Sequence, residues 1–383
     1  MSRKIINGKI TDDHGKLVEA AITIRDGKIK GVFTEPSQIT NDEETFDLQG
    51  AILSPGWIDL QINGAFGYDF TSDPTSIWKV GARLAESGVT GFLPTIITAG
   101  YETYQNAINT LLKGPPVGWE GAIPLGWHFE GPFLNPEKKG AHNPDFLHQP
   151  DTAFIKNWSR ENGVWLVTMA PELDPAGETA ARLLSEGVVL SAGHTAASLA
   201  EMQKAVKAGF TAVTHLYNAM TPLDHRNPGI IGEVFMNDRV FAGLIADGVH
   251  VHPRMIEIAW KMITSRRMVL VTDAVGAMGF APGTYEQGGL EIVVTEEAAR
   301  LKNGTLAGSV LRMDQALRNM MCFTHSKVEQ ILPALGANQA RLLNLPDSGE
   351  IKPGYRANLT AVDPSGNVKM TMVNGKILYP TSG

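Results

Sequence analysis

GVVLSAGHTAASLAEMQKAVKAGFTAVTHLYN, residues 187–218, holds two β-rich runs with an amphipathic stretch between them. GVVLSAGHT (187–195) and FTAVTHLYN (210–218) are apolar along much of their length, as strands covered on both faces are. Between them SLAEMQKAVKAG repeats its apolar residues at helical spacing and closes on Gly209, a common helix stop. A strand, a helix and a second strand of this kind form a crossover between parallel strands.

The alternation extends in both directions. Strand candidates precede the stretch at 52–62, 88–98, 123–131 and 164–172, and follow it at 240–248 and 268–276. Helical patterns such as SIWKVGARLAESG, TYQNAINTLLKG, AGETAARLLSEG and RMIEIAWKMITS lie between them. Eight strands alternating with helices predict an α/β chain folded as a (β/α)₈ TIM barrel. A doubly wound open sheet is the competitor, but no Gly-x-Gly-x-x-Gly follows the first strand.

The flanks change character. Short alternating runs with Asn-Gly, Asp-Gly and Ser-Gly turns fill residues 1–54 and return at 349–383, as hairpins do. The expectation is a small β-sandwich domain formed by the N- and C-terminal segments, 1–54 and 349–383, around a barrel at 55–348. Two domains suit a length of 383 residues.

A net charge of −7, with both signs scattered, gives no reason to expect nucleic acid or a membrane surface as partner. An anionic substrate therefore needs a local basic pocket. The lone Cys322 excludes an internal disulfide and a cysteine-built zinc site. Without an apolar leader or a long apolar run, the expected location is the cytoplasm.

Chemistry in a barrel sits where the strands end at their C-terminal side. There the apolar runs stop at Glu130, His194, His215 with Asn218, His250 and Asp273. A lone histidine at a strand end is ordinarily a hydrogen-bonding residue. Several strand ends each bringing a ligand-type or acid–base group are harder to dismiss. A buried carboxylate is costly unless a cation or a partner meets its charge. One Glu and two His from this set make a three-ligand divalent metal site, acceptable to zinc, iron(II), cobalt or manganese, with water in an open position. Asp273 is placed to act as general base and then general acid. His14, His148 and His325 read as solvated, His128 as structural on the Glu130 face, and Cys322 as a small buried hydrophobe.

GWHFEGPFLNPEKKGAHNP, SAGHT, THLYNAMTPLDHRNPG, IADGVHVHP, LVTDA and GTLAGSVLRMDQALRNM together resemble the amidohydrolase superfamily. Within it they are similar to the N-acetylglucosamine-6-phosphate deacetylase family, from GAILSPGWIDLQINGAFG through GEIKPGYRANLTAVD. The resemblance implies metal-dependent conversion of N-acetylglucosamine 6-phosphate to glucosamine 6-phosphate and acetate. It implies Glu130, His194 and His215 as ligands of one divalent ion per subunit, zinc first, and Asp273 with His142 as the catalytic pair. It implies Ala141, Asn218, Ala219, Leu306, Ala307 and Gly308 as sugar-binding positions, and Arg226 and His250 as phosphate-binding ones. It further implies a homodimer in which Arg226 reaches across from the other subunit. Where many superfamily members carry His-x-His after the first strand, this chain has Gln61 and Asn63, which implies a single metal. The alternatives are an N-acetylgalactosamine-6-phosphate deacetylase, another amidohydrolase such as a cyclic-amide hydrolase or N-acyl-amino-acid deacylase, and a catalytically inactive binding protein.

Overall fold

Strands packed on both faces have no side for water, and the eight observed here are buried along almost their whole length. In chain order they are β1 (Trp57–Ile62), β2 (Val89–Ile97), β3 (Trp127–Glu130) and β4 (Val164–Met169). Then come β5 (Val189–Ala192), β6 (Ala212–Val213), β7 (Phe241–Leu244) and β8 (Met268–Leu270). The computed structural model describes residues 2–12, 14–34, 44–287, 290–295, 298–302, 304, 306 and 308–380.

Each strand pairs in parallel with the next, from β1 through β8. A parallel bridge between Ile62 and Ala274 closes the ring. The Asp273 N–H donates to Gln61 O at 2.8 Å, and the Asn63 N–H donates to Ala274 O at 2.7 Å. Buried Asp59 of β1 adds a side-chain tie at the same seam, accepting the Thr272 hydroxyl at 2.5 Å and the Thr272 N–H at 3.2 Å. The predicted (β/α)₈ barrel is therefore the observed one.

Helices follow the expected patterns. Leu199–Ala208 starts at a capping box, in which Glu201 N–H meets Ser198 Oγ and Ser198 N–H meets Glu201 Oε2. It stops at Gly209, whose φ of 123° favours glycine. Met202 and Ala205 form its buried face. Behind β3, Phe129 packs against Tyr104 and Trp158 at centroid distances of 4.8 and 4.7 Å. Since side chains alternate along a strand, Phe129 facing the helices turns His128 and Glu130 toward the barrel axis.

Two predicted strands are divided. The run 52–62 splits at Pro55-Gly56: Ile52–Pro55 joins the terminal sheet and only Trp57–Ile62 joins the barrel. A Cβ at residue 56 would lie 2.2 Å from Thr90 Oγ1, so glycine lets the chain cross here. The run 123–131 breaks at Leu125-Gly126, where a Cβ on Gly126 would lie 2.2 Å from Trp165 Cγ. An unpredicted element follows β8. Gly283–Gln287, Leu290–Val294 and Ala299–Leu301 form an antiparallel sheet with its own small core of Val275, Ala277, Ile292, Val294 and Ala299. The chain returns through Ser309, which bridges Ala274, before the helix Met313–Thr324.

The termini meet in one sheet. Its order is 376–379, 368–373, 359–362, 52–55, 2–11, 17–25 and 28–33, with 44–47 also paired to 2–11. Ile5, Ile22 and Ile24 from the first segment share an apolar cluster with Leu359, Met370 and Met372 from the last. Among the described residues, no helix is long and apolar enough to cross a membrane.

Candidate metal centre

Glu130, His194 and His215 come from the ends of β3, β5 and β6, and all three are buried. Glu130 Oε1 stands 3.2 Å from His194 Nε2 and 3.0 Å from His215 Nε2, and the two nitrogens are 3.0 Å apart. Donors held about 2.0–2.1 Å from one ion stand roughly 3.0–3.4 Å from each other, so the triangle has the size of a coordination face. Its chemistry fits too. His194 Nδ1 lies 2.9 Å from Lys138 O, and a carbonyl only accepts, so Nδ1 carries the hydrogen and Nε2 presents a lone pair. That lone pair faces a carboxylate oxygen, an arrangement that a shared cation stabilises. Among the described residues these three are the group able to hold a metal ion.

Without an ion between them, the charged groups of the triangle act strongly on one another. Burial works against the Glu130 charge, but the His194 and His215 imidazoles outweigh it and hold its carboxyl well below the usual range. Burial likewise opposes a charge on His215, and Glu130 overrides it, raising the imidazole. His142, whose Nε2 is 3.7 Å from Glu130 Oε2, is pulled down to about 3 by burial and then by His194. Asp273 is pushed up to about 6 by burial and by the Glu130 charge.

Gln61 and Asn63 turn their amide NH₂ groups toward carboxylates rather than offering an oxygen to a second ion. Gln61 Nε2 donates to Glu130 Oε1 and Asn63 Nδ2 to Asp273 Oδ1, both at 2.8 Å. Among the described residues, Asn63 Oδ1 is left buried with no partner. The backbone is strained at the same places: φ is 49° at His194, 30° at His215, 51° at Ala219 and 48° at Asp273. Left-handed non-glycine residues gathered on strand ends are a mark of functional sites.

The other predicted residues are placed unevenly. His142 packs edge-to-face on His194, with ring centroids 4.4 Å apart, and Ala141 precedes it on an exposed turn. Asn218 N–H closes a turn onto His215 O at 2.9 Å, and Ala219 O accepts the Thr195 N–H at 3.1 Å, tying this turn to the His194 loop. Gly308, with φ of 89°, lies against Asp273 and Val275: a Cβ there would be 3.1 Å from Asp273 O. Leu306 bridges Arg300 in the inserted sheet, while Ala307 lies outside the described residues. His250 Nδ1 meets Asp247 Oδ2 at 2.6 Å, and its charge acts on Asp273. Arg226 is exposed, with its backbone N–H on Asp224 Oδ1 and no side-chain bond or ion pair among the described residues.

Some supporting groups escaped the sequence reading. Glu172 accepts from Thr195 Oγ1 at 2.5 Å, from Ala196 N–H at 2.7 Å and from Asn135 Nδ2 at 2.9 Å, clamping the His194 loop to the loop after β3. Its position at the end of β4, in APE, is the signal that marks it. His128 is structural, as expected: it bonds Thr168 Oγ1 at 2.7 Å and lies 3.3 Å from Thr95 Oγ1 inside the barrel. Cys322 is a correction. It faces solvent on the helix Met313–Thr324, whose buried stripe is Met313, Ala316, Leu317 and Met320.

The model of the amidohydrolase family matches residues 52–378. A Lysinibacillus sphaericus N-acetylglucosamine-6-phosphate deacetylase is 34% identical over 100% of this chain and 99% of its own. The crystal structure of the Thermotoga maritima N-acetylglucosamine-6-phosphate deacetylase superposes with a TM-score of 0.87 at 31% identity, covering 98% of this chain and 99% of that one. A mutant Mycobacterium smegmatis enzyme of the same name, solved in complex with N-acetyl-D-glucosamine-6-phosphate, gives 0.87 at 29% identity over 99% of both chains.

Proposed function

Because the chain belongs to the amidohydrolase family, and within it to the N-acetylglucosamine-6-phosphate deacetylases, we propose that it hydrolyses the acetamide of N-acetyl-D-glucosamine 6-phosphate. The products are D-glucosamine 6-phosphate and acetate, a step of amino-sugar catabolism and recycling. The observation that carries this reading is the triangle of Glu130, His194 and His215 with Asp273 held beside it by Asn63.

Glu130, His194 and His215 would hold one divalent ion, zinc first and iron(II), cobalt or manganese as alternatives. When bound, that ion supplies Lewis acidity and a water acidic enough to attack an amide near neutral pH. Asp273 takes the proton released as the water attacks and returns it to the departing amine. Its raised pKa suits both tasks, since the same group must accept and then release a proton. His142 donates to the acetamide oxygen, where negative charge develops. The sugar lies along Ala141, Asn218, Ala219 and the Leu306–Gly308 segment. His250 and Arg226 meet the phosphate, with Arg226 contributed across a homodimer.

Acetate release from N-acetylglucosamine 6-phosphate is the direct test. Turnover should vanish on chelation and return with zinc or another of the named ions. Turnover that survives complete chelation would overturn the metal assignment, and no acetate release with any of these ions would overturn the reading.

A further inference from the structure

His142 and His194 are neighbouring rings whose surroundings impose opposite tautomers. The Lys138 carbonyl leaves His194 with a lone pair on Nε2. His142 Nδ1 instead receives the backbone N–H of Thr98 at 3.2 Å. An amide N–H only donates, so in the neutral ring Nδ1 is an acceptor. The Thr98 hydroxyl, 2.8 Å from the same nitrogen, must then donate as well. Its other acceptor, Glu130 O, is at 3.5 Å and does not compete. The single ring hydrogen therefore sits on Nε2. That atom is 3.7 Å from Glu130 Oε2, beyond hydrogen-bond range, so its hydrogen is available to a ligand beside the triangle.

Space for the hydroxyl is made by Gly131, the residue directly after Glu130. A Cβ there would fall 2.3 Å from Thr98 Oγ1, and φ of 95° disfavours a side chain independently. The ends of β2 and β3 thus cooperate: one supplies two donors to the imidazole, the other leaves room for them.

We propose that Thr98 is a positioning residue for the deacetylation, locking His142 as the Nε2–H tautomer and aiming that hydrogen at the acetamide oxygen. The kinetic half of the proposal rests on the function proposed above; the tautomer does not. With the opposite tautomer, His142 would turn a lone pair toward an oxygen gaining negative charge and would oppose the reaction.

The test uses metal-loaded enzyme with ¹⁵N-labelled histidine, without substrate, the His142 signals being identified by their loss in His142→Asn. Wild type should show a protonated Nε2 and an unprotonated, hydrogen-bonded Nδ1. Thr98→Val, which keeps the backbone donor but loses the hydroxyl, should shift the Nδ1 resonance. It should lower kcat about tenfold, the loss of roughly one hydrogen bond, and leave KM within about twofold. Thr98→Ser should restore both spectrum and kcat. A wild-type His142 protonated at Nδ1, a Thr98→Val enzyme with unchanged kcat, or a serine that fails to rescue would each overturn the proposal. Wild-type enzyme that releases no acetate would defeat the function reading, while the spectrum still decides the tautomer.

Discussion

Asp273 sits within reach of opposing influences: burial and the Glu130 charge raise its pKa, while His215, His250 and the Asn63 amide lower it. A group poised in this way exchanges a proton at little cost in either direction. Asp273→Asn keeps the size and loses the exchange. Deacetylation should fall about a thousandfold, with bound metal per subunit unchanged by elemental analysis. Near-normal turnover would remove Asp273 from the proton-transfer role. Glu130, His194, His215 and Asp273 were legible in the sequence for one physical reason. Each is a polar group standing where an apolar strand stops, and burial there demands a partner. Thr98 and Glu172 also stand where apolar runs stop, but what they do, like the roles of Gln61 and Asn63, was not legible from position alone. Their partners come from other strands, and only the closed barrel brings them together.

At the scale of elements, the strands could be read from periodicity, but their breaks could not. Gly56 and Gly126 look like ordinary strand glycines until Thr90 and Trp165 arrive from neighbouring strands to fill the missing side-chain space. Gly56→Ala should therefore destabilise the fold by about 1–3 kcal/mol in urea melts, and Thr90→Ala in the same chain should recover part of that loss. Equal and additive effects would mean that the two residues do not meet. The inserted sheet was overlooked because strand–helix alternation predicts a helix after β8, and a hairpin there interrupts the pattern without breaking the barrel. The seam between β1 and β8 makes a pH-dependent prediction. Burial pushes Asp59 up to about 7. Between about pH 4 and 7 the folded chain then holds a proton that the unfolded chain has released. The stability from this group is full below that window and declines as pH rises through it. Asp59→Asn should remove the decline, so the gap between wild type and variant in unfolding free energy changes from pH 5 to pH 8. A gap constant with pH would show that Asp59 does not titrate in this range.

For the molecule as a whole, the two terminal segments announced themselves by turn chemistry, yet their union depends on Ile52–Pro55 pairing with Leu359–Val362, more than three hundred residues later in sequence. Long-range pairing of this sort leaves no local trace. The same limit applies to the proposed phosphate site, where the His250 side chain is buried and anchored by Asp247, but Arg226 stands exposed on its loop. An exposed arginine binds phosphate weakly, because water competes for each donor; a second subunit would exclude that water. If Arg226 acts across a two-fold interface, a site needs Asp273 from one chain and Arg226 from the other. Arg226→Ala alone should raise KM for the phosphorylated sugar while leaving turnover of unphosphorylated N-acetylglucosamine unchanged. Mixing equal amounts of Arg226→Ala and Asp273→Asn chains, after dissociation and reassembly, then makes a sharper measurement. Half of the dimers are mixed, and each mixed dimer holds one site with both native residues. Roughly a quarter of wild-type activity at low substrate should return. If Arg226 served its own chain, no mixed dimer would contain a native site and mixing would recover nothing.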